Sequence, residues 1–546
     1  MAEHDGRRYE LLITGGRVVD GTGAAAFDAA IGITRGARGE TARIVVLRAP
    51  DVVEDAVGRT ARIVDARGKV VAPGFIDLHS HSGLMILADP RHEPKVRQGV
   101  TTEVVGIDGL SYAPIRDRRR LAELVEMNAG LDGHPSIEFD WGSVETYLDR
   151  FDVGVGVNIA MLVGNSALRL GTSGWDERDP TRGELASMGA MLRESMQEGA
   201  FGLSSGLDYP PGSYASTEEL ASLASVAAKL GGFYHSHVRY TLGDRFLDPF
   251  REAIDIGRRG DAPSHITHFY HRATFPGGPE EMLQLVDDAR AEGLDITFDA
   301  YPYEWASTRL LITLPPWVQA GGPGPTKERL ADRSVRERIR RELLARGVLY
   351  AGAGGLADIR LGYFAQPQNL AFEGRTLGDV GHEVGRDLVD VLCDLLLSEG
   401  LRINQVTPGP NLPGIRRFYQ HPMAMVGTDS IFVGEKQSPR TYGSYPRILG
   451  QFVRDEALLS LETAVAKMTS MPAARLGLKR RGRLADGFVA DIVVFDPATV
   501  RANATYDEPR RFPTGVDLVI VNGVPVVDGG EHTGALPGRA LRRARD

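Results

Sequence analysis

The stretch "FIDLHSHSG", Phe75 to Gly83, ends an apolar run with two histidines one residue apart. Side chains alternate across a strand, so residues i and i+2 share a face. If this is a strand, His79 and His81 point the same way. The preceding "KVVAPGF" is apolar and β-branched, as expected of a strand buried on both faces of a parallel sheet. Two adjacent imidazoles at the end of such a strand suggest a metal site. A polar turn with two solvated histidines is the plain alternative, and the rest of the chain has to choose between them.

Working outward, short apolar runs alternate with helical patterns. The strand candidates are "VTTEVVGID", "GVGVNIAMLVGNS", "AFGLSSGLDY", "GGFYHSHV", "PSHITHF", "LDITFDAYPY" and "MAMVGTDS". Stretches such as "TEELASLASVAAKL" and "PEEMLQLVDDARAEG" read as helices between them. Together with Phe75–Gly83 this makes eight β-α units, which favours a (β/α)₈ TIM-like barrel over a doubly wound sheet. The expected fold class is α/β, with the barrel over residues 71–475. Residues 312–375 break the rhythm, first rich in proline and glycine ("LPPWVQAGGPGP"), then highly charged ("KERLADRSVRERIRREL"). They read as a small inserted subdomain over the barrel mouth.

Both ends of the chain have a different texture. Residues 1–70 and 476–546 carry short β runs with glycine turns, among them "ELLITGGRVVDGTG", "ADIVVFDP" and "DLVIVNGVPVVDGG". Asn522-Gly523 is a strong hairpin signal. The expectation is one small β-sandwich domain built from both termini.

Composition excludes more than it assigns. The chain has 546 residues, 42% hydrophobic and 25% charged, with a formal net charge of -9. That is ordinary for a globular protein and argues against a general nucleic-acid binder. The single cysteine, Cys393 in "DVLCDLLL", cannot form an intrachain disulfide and reads as a core residue. No window approaches the ~18 apolar residues of a membrane span. The N-terminal "MAEHDGRRYE" lacks the apolar stretch of a signal peptide. The expected location is cytoplasmic, with no membrane or nucleic-acid partner, and the oligomeric state is open.

In a (β/α)₈ barrel, functional residues gather at the C-terminal ends of the strands. Those ends carry His79 and His81, Asp108, His235 and His237, His265 and His268, and Asp429. Each has an ordinary explanation: a hydrogen-bonded histidine, or an aspartate capping a helix. Yet six of the 13 histidines fall at three strand ends. The separation of His237 and His268 matches one strand–helix–strand step of ~30 residues. The joint pattern favours a zinc-type site of imidazoles and carboxylates.

These motifs resemble the amidohydrolase superfamily. "PGFIDLHSHSG" looks like its first metal motif. "AFGLSSGLDYPPGSYASTEEL", "YHSHVR", "HITHF", "DAYPYEWASTRL" and "SPRTYGSYPRILG" look like the N-acyl-D-amino-acid deacylase (D-aminoacylase) branch. "GRLADGFVADIVVFDP" resembles the superfamily's closing β segment. The resemblance implies a cofactor of one or two zinc ions, with other divalent metals as alternatives. It assigns His79 and His81 to one metal position, His237 and His268 to the other, and Asp429 to the general base. His235 and His265 are then supporting residues.

Two positions depart from the branch. Asp108, in "VVGIDG", stands where a cysteine usually bridges the metals, and a carboxylate is a harder ligand than a thiolate. Tyr270 stands where a lysine usually helps to bind the substrate carboxylate. The resemblance makes Arg440 the best candidate for that carboxylate, with Tyr303 and Ser307 next. Arg309, Tyr442 and Asn165 also lie at or after strand ends. Arg440 is equally readable as a structural ion pair, and Asn165 as a helix cap.

The expected reaction is removal of an N-acyl group from an N-acyl-D-amino acid or related small-molecule amide by metal-activated water. The nearer alternative is a cyclic or natural-product amide. The alternative of a different class is a catalytically silent scaffold.

Overall fold

The computed structural model describes residues 8–36, 41–240, 245–272 and 277–543. Its centre is a ring of eight parallel strands. They are β1 (Phe75–Asp77), β2 (Val100–Val105), β3 (Asn158–Met161, continuing as Val163–Gly164), β4 (Gly202–Gly206), β5 (Phe233–His237), β6 (Ser264–Ile266), β7 (Ile296–Ala300) and β8 (Ala424–Val426). Each pairs in parallel with its neighbour in sequence from β1 to β3 and from the end of β3 to β8. The ring closes through a parallel bridge from Ser80, just past β1, to Ser430, just past β8. Asp429 N–H donates to the His79 carbonyl at 2.8 Å, and His81 N–H to the Ser430 carbonyl at 3.0 Å.

The intervening helices form for the usual reasons. Thr217–Lys229 starts at Ser216, whose hydroxyl accepts from Glu219 N–H. It buries Leu220, Leu223, Ala224 and Ala227 on one side. Arg182–Glu198 opens with a Thr181/Glu184 capping box.

The β1–β8 seam is held by a buried ionic cluster. Lys95, wholly buried, pairs with Asp77 and with Glu103 at 3.2 Å, and donates to Thr428 Oγ1 at 2.7 Å and Ser430 Oγ at 3.0 Å. Asp77 Oδ1 also accepts the N–H groups of His79 (3.1 Å) and Thr428 (3.0 Å). Removing the ammonium leaves Asp77 buried without its cation and Glu103 with only His92, at 3.0 Å, and the Ser82 hydroxyl, at 2.6 Å. Lys95→Met is expected to destabilise the fold by about 3–5 kcal/mol. Denaturant unfolding measures this, and a loss under about 1 kcal/mol would contradict a seam held by charge.

The two termini share one sheet. Ile492–Phe495 runs antiparallel to Val70–Pro73, with Ile492 opposite Pro73. Val516–Val521 and Val524–Asp528 form a hairpin turning at Asn522 (φ 53°) and Gly523 (φ 89°), the backbone a type I′ turn needs. A second sheet, from Arg43–Leu47, Ala30–Thr34, Leu11–Thr14 and Ile63–Asp65, completes the sandwich.

The excursion between β7 and β8 is longer than residues 312–375. It begins and ends in one antiparallel sheet, where Ala306–Arg309 and Arg360–Tyr363 flank Asn404–Thr407. Helices Pro323–Ala331, Arg333–Arg346, Leu377–Val384 and Leu388–Ser398 complete it. Proline, glycine and charge mark its middle. Its flanks have ordinary strand and helix patterns and resemble the barrel's own.

Candidate metal centre and active site

The ends of β1, β2, β5, β6 and β8 converge on one oxygen. Asp108 Oδ2 lies 3.3 Å from His79 Nε2, 3.6 Å from His81 Nε2, 3.4 Å from His237 Nδ1 and 3.7 Å from His268 Nε2. Asp429 Oδ1 lies 3.5 Å from His79 Nε2 and 3.3 Å from His81 Nε2. All six residues are buried. Asp108 therefore belongs to two ligand groups, one with His79, His81 and Asp429, the other with His237 and His268.

Three observations fit a cation here. Two ligands ~2.1 Å from a tetrahedral metal lie about 3.4 Å apart, close to the spacing seen. His79 Nε2 and His81 Nε2 are buried without a hydrogen-bond partner, although both face the centre. Three of the four outer ring nitrogens, by contrast, are supported. His81 Nδ1 meets Asp132 at 2.6 Å and His237 Nε2 meets Asp208 at 3.1 Å, whereas His79 Nδ1 only faces Asp299 at 3.7 Å and makes no hydrogen bond. His268 Nδ1 meets the Tyr240 hydroxyl at 3.1 Å. A carboxylate on the outer nitrogen holds the proton there and leaves the inner lone pair for a metal.

The electrostatics agree. Burial opposes charge on Asp108, yet the His79 and His237 imidazoles hold its carboxyl well below the usual range. Burial also opposes protonation of His79, but Asp108 and Asp429 outweigh it and raise the imidazole to about 10. The carboxylates thus draw positive charge into the centre. For Asp429, burial is again outweighed, first by Arg440 and then by His79, and its carboxyl is lowered.

The backbone is strained where these groups turn inward. Asp108 (φ 53°), His268 (φ 31°) and Asp429 (φ 50°) are left-handed non-glycine residues. Such conformations cost about 1–3 kcal/mol each and gather at functional sites.

A narrow cleft opens onto the centre, reached by Asp108, His237, His268 and Asp429. Among the other residues read from sequence, Tyr270 and Ser307 line it. Arg440 stands behind Asp429: fully buried, it pairs with Asp429 Oδ2 at 2.8 Å and donates to the Ser307 carbonyl at 2.9 Å. Arg440 and four further candidates lie outside its lining. Arg309 donates to the Met127 carbonyl and Asn128 Oδ1, both at 2.7 Å, tying the inserted sheet to helix Arg118–Asp132. Asn165 braces the end of β4 through the Gly212 carbonyl (3.0 Å) and Gly206 N–H (3.4 Å). Tyr303 lies under the Arg447 guanidinium at 4.4 Å, and Tyr442 faces a separate cleft beside Arg510. His235 and His265 stack at 5.3 Å beside His79, and His265 Nε2 meets Asp299 at 3.0 Å.

The sequence reading missed Asp132, Asp208, Asp299, Tyr240 and Tyr350. Asp208 and Asp299 carry the same signal as Asp108, an aspartate at a strand end. Asp132 ends a helix, and Tyr350 comes from the insertion to donate to Asp208 at 2.6 Å. Nothing local in the sequence marks either.

The Amidohydrolase family profile matches residues 62–527. A D-aminoacylase from Alcaligenes xylosoxydans xylosoxydans is 33% identical over 547 residues, covering 100% of this chain and 99% of that one. A crystal structure of N-acyl-D-glutamate deacylase from Bordetella bronchiseptica, complexed with zinc and a phosphonate inhibitor, superposes with a TM-score of 0.80 at 31% identity, covering 98% of this chain and 100% of that one. A D-aminoacylase structure described for its binuclear metal center gives a TM-score of 0.79 at 31% identity, with the same coverage. An eight-stranded parallel barrel with inward imidazoles, a profile match over most of its length and full-length relatives at this identity place the chain in the amidohydrolase family.

Proposed function

We propose that this protein is a metal-dependent N-acyl-D-amino-acid deacylase in which Asp108 would be a ligand shared by both histidine pairs. The observation that carries the reading is the placement of one Asp108 oxygen within 3.7 Å of four imidazole nitrogens, with Asp429 beside two of them. His79 and His81 form one position and His237 and His268 the other. Zinc accompanies the Bordetella relative. A divalent cation held by these groups would supply Lewis acidity, enough to bring the pKa of water toward ~7 and to polarise an amide carbonyl.

The chain's own groups do the rest. Asp429, kept ionised by Arg440, accepts the proton of the attacking water. The water oxygen bonds to the acyl carbon, the C–N bond breaks, and Asp429 returns the proton to the leaving nitrogen. An amine leaves poorly unless protonated, so one carboxylate that both accepts and donates suits amide cleavage. Arg440 fixes the Asp429 oxygen that faces away from His79 and His81. Tyr350 and Asp208 hold the His237 ring from outside, joining the insertion to the centre.

The test is a substrate panel run with elemental analysis on protein purified without added metal. N-acyl-D-amino acids should be hydrolysed, with tightly held divalent metal and little turnover of L-forms. Preferential opening of cyclic amides would move the protein to another reaction of its family. No metal and no hydrolysis would leave a silent scaffold.

A further inference from the structure

We propose that a second cleft, beside His92, binds a small organic ammonium, a free amino acid of the kind that deacylation releases, and that its occupancy slows the metal centre. The inference rests on the deacylase reading above. The cleft, about 340 Å³, shares no lining residue with the one that opens onto the centre. Asp89 and His92 reach it from the turn after β1, Phe432 and Tyr442 from the segment after β8, Tyr363 from the insertion and Arg510 from the C-terminal part of the chain.

Its charges leave an acid over. Arg510 pairs with Glu435, and its Nε lies 3.3 Å from the Tyr442 hydroxyl. Burial and the Arg402 guanidinium hold the His134 imidazole below its usual range, against a positive charge. Asp89 makes no ion pair and no side-chain hydrogen bond among the described residues. His92, 3% exposed, meets Glu103 Oε2 through Nε2 at 3.0 Å. Lys95, 3.2 Å from that carboxylate, already supplies its counter-charge, so the ring can stay neutral with its proton on Nε2. Nδ1 has no partner among the described residues and offers a lone pair to an occupant.

The walls suit the same ligand. Tyr363, Phe432 and Tyr442 line the cleft, and the Phe432 ring centre lies 4.9 Å from that of His92. Aromatic faces attract an ammonium through its charge, most strongly where water is excluded. An N-acyl amino acid has a neutral amide in place of that charge, and the amino acid it yields has the ammonium. The cleft therefore separates product from substrate.

A buried chain leads from this cleft to the centre. His92 meets Glu103, Glu103 meets Lys95, Lys95 pairs with Asp77, and Asp77 Oδ1 accepts the N–H groups of His79 and Thr428. His92 also holds a left-handed backbone, φ 52°, the kind of strain that gathers at functional sites. An occupant that draws His92 toward the cleft loosens this chain at the turns that carry His79 and Asp429, so turnover falls.

The experiment is calorimetry on the zinc-loaded protein with isoamylamine, D-leucine and 4-methylpentanoate, using wild type, Asp89→Asn and Phe432→Leu. Both ammonium compounds should bind wild type. Asp89→Asn should weaken isoamylamine about 10-fold and Phe432→Leu about 3-fold. The carboxylate, which lacks an ammonium, should respond to neither substitution. At saturating N-acetyl-D-leucine, isoamylamine should still lower the wild-type rate, which a competitor at the metal centre could not do, and the effect should fade in Asp89→Asn. Isoamylamine that does not bind, or that binds all three proteins equally, would overturn the site. Binding with no effect on the saturated rate would overturn the coupling. Failure of wild type to hydrolyse N-acetyl-D-leucine would remove the deacylase reading and the coupling with it, while calorimetry would still decide the site.

Discussion

Replacing Asp429 with asparagine should lower kcat about 10²- to 10⁴-fold while leaving the metal content unchanged, the range that a positioned acid–base group supplies. The substitution keeps shape and removes the ability to hold a proton. The Arg440 contact at 2.8 Å and the backbone bond from Asp429 N–H to the His79 carbonyl at 2.8 Å keep the side chain and its turn in place. The four imidazoles and Asp108 still converge without it. Chemistry should therefore fail while binding of the cation survives. Single-turnover kinetics together with metal analysis separate the two effects. Wild-type kcat would remove Asp429 from proton transfer, and a loss that tracks departing metal would recast it as a ligand.

The second large effect concerns Asp108. Asp108→Ala takes away the oxygen that both histidine pairs share, leaving His237 Nδ1 and His268 Nε2 2.8 Å apart with no carboxylate between them and the first pair. We expect loss of at least one metal equivalent and ~10³-fold or more of activity, because the several kcal/mol that metal activation contributes depends on a correctly held cation. Asp108→Cys should bind metal again, since a thiolate can bridge and is softer. It should favour zinc more strongly over harder divalent cations than wild type does. Full metal content and full activity in Asp108→Ala would show that the convergence on this oxygen has no functional part.

Much of this was legible because strands write their geometry into the sequence with period two. His235 and His237 lie on one strand and share a face, His79 and His81 follow just past the end of β1, and the polar ends of apolar runs mark the barrel mouth. The terminal sheet was readable from Asn522-Gly523 and from like texture at both ends. Legibility failed where a role depends on a distant element. Arg309 ends a run that looks like a barrel strand, yet its partners are Met127 and Asn128, far away in sequence. Asp132 closes a helix and is drawn to His81 only by the fold. The edges of the insertion were hidden because Ala306–Arg309 and Asn404–Thr407 are ordinary strands that pair only with each other's excursion.

The most direct measurement is a crystal structure of the metal-loaded protein with anomalous scattering collected at the metal's absorption edge. The account predicts two peaks about 3.5–4 Å apart, a spacing usual for paired catalytic metals, with an Asp108 oxygen between them, His79 and His81 on one and His237 and His268 on the other. Peaks elsewhere, or histidines that carry no metal under saturating conditions, would contradict it.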